Sequence, residues 1–198
     1  MGNLSHFNLK EYIEEHDLRF LIETGTWHGA AVDYALKFGF EKIYTIELLK
    51  EYYEGCVERF KDNDNVVLIN DNSVEGLIKI LKENTVGNCL YWLDAHLPDF
   101  YDKSYGSDYK NNKEILIPLE EELRVIVENK DVSNDVFIID DLRIYKKGPF
   151  QKGEWHGAIN VGLGGTDFIN DLLGKTHNKL EIYDDEGYIL CTPKIILL

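Results

Sequence analysis

Apolar residues along this chain fall into short blocks separated by stretches with helical periodicity. The blocks "RFLIET", "KIYTIEL", "NVVLIN", "CLYWLDA" and "DVFIIDD" are apolar at successive positions, which predicts strands buried on both faces. Between them, "HGAAVDYALKFG", "LKEYYEGCVERFK" and "SVEGLIKILKEN" read as amphipathic helices. The first is expected to end at Gly39, and Asn72 or Ser73 to cap the third. "EILIPLEEELRVIVEN" reads as a helix with Pro118 near its start. After Asp141 the pattern changes. A glycine-rich segment, "KGEWHGAINVGLGG", leads to a short helix, "DFINDLLG", and then to two strands, "KLEIYD" and "YILCTPKIILL", joined by the turn "DDEG". That ending predicts a C-terminal antiparallel hairpin. Strand–helix alternation predicts an α/β, Rossmann-like fold: a mainly parallel central sheet with helices on both faces. No repeat, low-complexity tract or linker breaks the chain, so residues 1–198 are expected to form one domain. Residues 1–17 read as a capping segment, and residues 97–113 and 146–166 as active-site loops.

Charge narrows the partners. The 198 residues carry a formal net charge of -15. Phosphate backbones must be met by Lys and Arg, so no nucleic-acid partner is expected. A cationic ligand or a metal ion would be favoured by the field. No apolar run approaches the ~20 residues of a membrane span, and the polar, acidic N-terminus is unlike a signal peptide, so no membrane partner is expected. Cys56, Cys89 and Cys191 are widely spaced, as reduced thiols in a cytoplasmic protein would be. A cytoplasmic location, a small-molecule substrate and an open option of homodimerisation are the resulting expectations.

The candidate chemistry starts at "ETGTWHG", residues Glu23 to Gly29, where the first strand hands over to the first helix. In open parallel sheets, ligands bind beyond the carboxyl ends of the strands. Gly25 can adopt a conformation forbidden to other residues and leaves room for a ligand, while Gly29 lets the next helix start close to the strand. The spacing is not that of a dinucleotide fingerprint. Glu23 would repel a phosphate and welcome a cation or a hydroxyl.

Together with Glu47, which closes "YTIEL", this turn resembles the cofactor site of class I S-adenosylmethionine-dependent methyltransferases. The resemblance runs from about Phe20 to Asp141. It implies that Glu23, Gly25, Thr26 and Gly29 hold the methionine part of S-adenosyl-L-methionine, and that Glu47 accepts bonds from the ribose hydroxyls. It places Asp71 and Asn72, in "INDNS", at the adenine. A plainer reading stays open for each: turn glycines, a solvated strand-end acid, a turn with a helix cap.

"YWLDAH" and "FIIDD" end the fourth and fifth strands in acids, which should therefore face one crevice. Hard oxygen ligands of this kind suit Mg²⁺, Mn²⁺ or Ca²⁺. The pattern is similar to metal-dependent small-molecule and sugar O-methyltransferases of the class I fold. That similarity implies Asp94, Asp140 and Asp141 as ligands of a divalent metal such as Mg²⁺, with Asp94 and His96 in the catalytic roles and His96 as the general base. Alternatively, His96 caps a loop or ligates the metal, one Asp of the pair bonds backbone amides, or no metal is used and Asp94 contacts substrate or cofactor directly. Tyr101, Tyr105, Arg143, Trp155 and His156 are candidates to line the acceptor site.

The reading is of an S-adenosylmethionine-dependent O-methyltransferase acting on a small-molecule or sugar hydroxyl. The alternatives are another use of the same cofactor, a non-catalytic binding module, and a short-chain dehydrogenase or epimerase built on Ser104, Tyr109 and Lys113. The last lacks the nucleotide glycines, and its Tyr–Lys pair lies in a polar, loop-like stretch.

Overall fold

The computed structural model describes residues 3–83, 87–96, 113–153 and 164–195. Its strands are β1 Phe20–Thr24, β2 Lys42–Glu47, β3 Val66–Asn70, β4 Cys89–Leu93, β5 Val136–Ile139, β6 His177–Ile182 and β7 Tyr188–Pro193. Its helices are α1 Leu9–His16, α2 Ala30–Ala35, α3 Lys50–Phe60, α4 Ser73–Glu83, α5 Lys113–Leu116, α6 Leu119–Asn129, α7 Leu142–Tyr145 and α8 Asp167–Leu173. The strands form one sheet in the order β3-β2-β1-β4-β5-β7-β6. The first five run parallel, and β7 runs antiparallel to both β5 and β6. The order reverses at β1, so a crevice is expected where β1 and β4 diverge at their carboxyl ends.

Two apolar layers explain why the strands lack an alternating pattern. Leu90 and Trp92 of β4 point into the layer built by Leu9, Val32, Ala35, Cys56 and Phe60 from α1, α2 and α3. Cys89, Tyr91 and Leu93 point into the opposite layer, with Leu77 and Ile80 of α4, Leu123 and Ile126 of α6, and Leu173 of α8. Tyr91 stacks on Phe137 of β5, with centroids 4.7 Å apart and planes 8° from parallel. Each fully buried side chain of this size contributes about 1.5–3 kcal/mol. The polar residues that end these strands therefore stand out: they begin where the two layers stop.

Some element boundaries differ from the sequence reading. The single helix expected over residues 114–129 is two helices, because Pro118 occupies the N-cap of α6 and cannot donate to a continuing α5. The helix expected over residues 28–39 is regular only to Ala35 and tightens to a 3₁₀ turn, Leu36–Phe38, before Gly39 closes it in the left-handed region at φ 72°. α7 was not foreseen. It is one turn long and starts directly after β5. The N-terminal segment forms a 3₁₀ turn, Leu4–His6, followed by α1, and Phe7 packs edge-on against Tyr188 at 5.2 Å. Among the described residues no helix is long and apolar enough to cross a membrane.

Candidate active site

Strand register sets the geometry of the crevice. β1 and β2 pair Glu23 with Thr45, and the Thr45 hydroxyl donates to the Glu23 carboxylate at 2.5 Å. The Thr26 hydroxyl meets that of Thr45, so Glu23, Thr45 and Thr26 form a buried polar string beneath the β1 turn. Burial pushes the Glu23 carboxyl up to about 8, against the lowering effect of the Thr45 bond and with a further push from Glu47. Glu23 supports the turn from below and does not offer an exposed anion.

Glu47 stands one register step higher. It is 6 % exposed, and its two oxygens accept the Trp27 amide at 2.7 Å and the Leu49 amide at 2.8 Å. Burial raises its carboxyl and the two amides partly oppose that shift. One acid thus ties the β1 turn to the start of α3, with the Leu48 amide also favouring its charged form.

The two glycines do more for the chain than was expected of them. Gly25 has φ 85°, and a Cβ there would lie 2.6 Å from the carbonyl oxygen of Asp94. A side chain there would collide with the β4 turn, so the close approach of the Asp94 backbone itself requires glycine at this position. Gly29 has φ 78°, and a Cβ there would meet the Phe60 ring at 2.5 Å. It lets α3, as well as α2, come close. Asp71 accepts the Asn72 amide at 2.8 Å and pairs with Lys79 at 2.5 Å, while the Asn72 side chain caps α4 by accepting the Glu75 amide at 3.0 Å. Asn72 has the capping role that the plainer reading gave it.

The acids beyond β4 and β5 converge. Leu93 pairs with Ile139, and the Asp140 amide donates to the Leu93 carbonyl at 3.0 Å, so Asp94 and Asp140 leave adjacent strands side by side. Asp140 is 3 % exposed, and neither of its oxygens receives a hydrogen bond from a donor group among the described residues. Burial, then the neighbouring Asp140 and Asp141 charges, push the Asp94 carboxyl far above the usual range. Burial, then Asp141, push Asp140 up to about 7.

Asp141 behaves differently. It turns into the left-handed region at φ 52° and re-aims its carboxylate. One oxygen accepts from Arg143 Nε at 3.0 Å and the other meets His96 Nε2 at 2.9 Å. Burial alone would raise its carboxyl, but His96 and Arg143 outweigh burial and hold it below the usual range. Burial lowers His96, and the charge of Asp141 more than reverses that, leaving its imidazole raised. His96 Nδ1 lies 3.6 Å from an Asp94 oxygen.

Asp94, His96 and Asp141 offer ligand atoms within 4.8 Å of one another, and so do Asp140, Asp141 and Glu186. Glu186, in the β6–β7 turn, accepts from Arg143 Nη2 at 2.6 Å. Sequence alone did not signal it, because only the hairpin brings it here. Arg143, expected to line the acceptor site, is instead engaged inward by Asp141, Glu186 and the Lys152 carbonyl at 3.4 Å. Within the 146–166 segment, the first part is fastened to the hairpin by Lys146–Glu181 and Lys152–Asp185 pairs, both 2.7 Å, and the Gly165 amide returns to the Tyr145 carbonyl at 2.7 Å. Tyr101, Tyr105, Ser104, Tyr109, Trp155 and His156 lie outside the described residues, and so does most of the expected 97–113 loop.

Comparison with known proteins fits this geometry. No family model matches the chain. A candidate caffeoyl-CoA O-methyltransferase from Staphylococcus aureus superposes with a TM-score of 0.64 at 12 % identity, over 98 % of this chain and 85 % of that one. The chain has the class I methyltransferase fold. An O-methyltransferase from Bacillus cereus, solved with S-adenosylhomocysteine, shares this methyltransferase fold with a TM-score of 0.56 at 14 % identity, over 94 % of this chain and 79 % of that one. In sequence, 80 residues are 35 % identical to ribosomal RNA small subunit methyltransferase A of Caldanaerobacter subterraneus subsp. tengcongensis. The match spans 40 % of this chain and 29 % of that protein.

Proposed function

We propose that this chain is an S-adenosylmethionine-dependent methyltransferase that methylates a hydroxyl group of a small molecule or sugar with the help of a divalent cation. The observation that carries the proposal is one rim holding two different acid sets: Glu47 gripping the β1 turn, and Asp94, Asp140, Asp141 and His96 around the β4 and β5 ends.

The residues fit both implied groups. Glu47 is a carboxylate at the end of β2, held by backbone amides, and a carboxylate is an acceptor that suits a vicinal diol. Asp94 is partly buried and Asp140 buried, and their carboxyls lie close enough for each to raise the other or to share a proton, an arrangement in which a cation could replace that proton. Two overlapping groups, Asp94–His96–Asp141 and Asp140–Asp141–Glu186, bring ligand atoms within 4.8 Å of one another, and their carboxylate oxygens suit a hard cation such as Mg²⁺. The cofactor supplies an electrophilic methyl group on sulfur, and the cation, held by Asp94, Asp140 and Asp141, lowers the pKa of an acceptor hydroxyl.

The chain's own contribution is placement and proton handling. His96 lies between two acids, its Nε2 2.9 Å from Asp141 and its Nδ1 3.6 Å from Asp94; because Asp141 raises the imidazole, the form able to accept a proton gains as pH rises. Bound S-adenosylmethionine would supply the methyl group, leaving as S-adenosylhomocysteine when the acceptor oxygen takes it, and His96 would take up the hydroxyl proton. Water exclusion and alignment of oxygen and methyl carbon supply much of the rate.

The match to a ribosomal RNA methyltransferase raises a second acceptor class. A net charge of -15 opposes it, because a phosphate backbone would be repelled. The test is a screen of small-molecule and sugar extracts, with ribosomal RNA alongside, using methyl-labelled cofactor. Label in a hydroxyl-bearing small molecule that requires added Mg²⁺ supports the proposal. Label in RNA alone, or transfer unaffected by a chelator, contradicts its acceptor or its metal part.

A further inference from the structure

Arg143 bridges two buried acids from different parts of the chain. Its Nε donates to Asp141 at 3.0 Å and its Nη2 to Glu186 at 2.6 Å. The Arg143 side chain is 14 % exposed, and those of Asp141 and Glu186 are 2 % and 4 % exposed. Taking such charges out of water is costly, and apolar side chains of similar volume often serve stability as well or better. What a planar guanidinium adds is fixed geometry, because its fork holds both acids at once.

The backbone sets Glu186 in place independently of this pairing. The Leu142 amide donates to the Gly187 carbonyl at 2.9 Å and the Arg143 amide to the Glu186 carbonyl at 3.3 Å, so the start of α7 is bonded to the β6–β7 turn. The Gln151 side chain holds the same turn, donating to Asp184 at 3.0 Å and accepting the Asp185 amide at 3.1 Å. Gly187, at φ 85°, lets the Phe150 ring and Leu142 close on the turn, where a Cβ would run into both. Glu186 is thereby delivered beside Asp140 as well as Asp141: ligand atoms of the three acids lie within 4.8 Å of one another. Arg143 engages two of the three, and Asp140 takes no hydrogen bond from it.

We propose that Glu186 is a positioning residue: it anchors the Arg143 guanidinium against Asp141 and so keeps that positive charge off Asp140, leaving the Asp94–Asp140 pair for a divalent cation. This rests on the metal reading given above. Once Glu186 is lost, the guanidinium has one anchor in place of two, and the acid beside it is Asp140. An arginine paired there would take the place meant for the cation. Glu186 therefore acts on the cation through Arg143 and not as a ligand.

The test is Mn²⁺ binding to the full chain, followed by electron paramagnetic resonance and run beside thermal melting, on wild type, Glu186→Ala, the double variant Glu186→Ala with Arg143→Met, and Gln151→Ala. Glu186→Ala should bind Mn²⁺ about tenfold more weakly, the lower end of what changes outside the ligand set cost. Adding Arg143→Met should recover that loss, because the competing charge goes with its anchor; such non-additivity marks one residue acting through another. Gln151→Ala loosens the same turn without touching Glu186 and should bind as wild type does. Where Glu186→Ala does not fold, Glu186→Gln, which keeps the shape and one acceptor oxygen, takes its place in the cycle, with a smaller loss that Arg143→Met again recovers. A double variant as weak as the single one would make Glu186 a ligand of the cation and overturn the positioning role. Wild-type affinity without the Glu186 carboxylate also overturns it, as do losses that follow the melting temperature in every variant, Gln151→Ala included. No Mn²⁺ binding by wild type defeats the metal reading, and the role given to Glu186 goes with it.

Discussion

The two acid sets on the rim are a contrast in self-sufficiency. At the β1–β2 end each carboxyl has partners from its own chain: Glu47 has two backbone amides and Glu23 has the Thr45 hydroxyl. At the β4–β5 end Asp141 is partnered by Arg143 and His96, but Asp94 and Asp140 face each other with burial and mutual repulsion raising both. The first set is finished by folding. In the second, burial and mutual repulsion favour a retained proton on the Asp94–Asp140 pair, and the proposed cation would take that proton's place.

The largest effect should come from Glu47. Glu47→Ala removes two hydrogen bonds to a charged acceptor, each worth about 1.5–3 kcal/mol, and frees the β1 turn from α3. Denaturant unfolding should register a loss on that scale, and binding of S-adenosylhomocysteine should vanish. If Glu47→Ala were as stable as wild type, this end would not be finished in the sense argued.

Asp140 tests the other side. Asp140→Ala should weaken Mn²⁺ binding, followed by electron paramagnetic resonance, by about 100-fold or more, since outer-shell changes alone cost 10–100-fold. The metal-free protein should not be destabilised by the loss of this charge at neutral pH. Unchanged Mn²⁺ affinity would remove Asp140 from the ligand set.

Glu23 sharpens the comparison through pH. Its ordinary value is 4.5 and the folded value is about 8, so the folded chain keeps a proton that the unfolded chain has released. Stability should therefore be greatest below the unfolded value and fall as pH rises from about 4.5 to about 8, by a few kcal/mol at most. Glu23→Gln keeps an acceptor for Thr45 and should flatten the profile, being more stable than wild type at the alkaline end. An unaltered slope would show that Glu23 is not the group responsible. The smallest effect belongs to Asn72→Ala, which removes the α4 cap at a cost of about 1 kcal/mol and should leave Mn²⁺ binding unchanged.

What the sequence discloses follows from where its signals originate. Buried parallel strands are apolar on both faces, so the acids that end them at Glu47, Asp94, Asp140 and Asp141 are conspicuous, and topology alone brings them to one rim. Sequence cannot rank them. Asp140 and Asp141 are neighbours with opposite shifts, because the left-handed turn at Asp141 sends one carboxylate toward His96 and Arg143 and leaves the other facing Asp94. The contact of Arg143 with Glu186 is not legible in the sequence, because Glu186 lies 43 residues further on, in a turn that the β5–β7 pairing brings back. The hydroxyl that meets Glu23 is that of Thr45, a pairing fixed by strand register and so not legible in the sequence. Gly25 was recognised as special, but its reason is the Asp94 backbone on the next strand.

The central claim is that this rim binds S-adenosylmethionine and that the acids beside it complete the site with a divalent cation. Calorimetry of the full chain with S-adenosylhomocysteine, with and without Mg²⁺, and with NAD⁺ as the control, tests it most directly. The account predicts saturable binding of S-adenosylhomocysteine, a separate Mg²⁺ site, and no heat from NAD⁺. Binding of NAD⁺ with none of S-adenosylhomocysteine would contradict it.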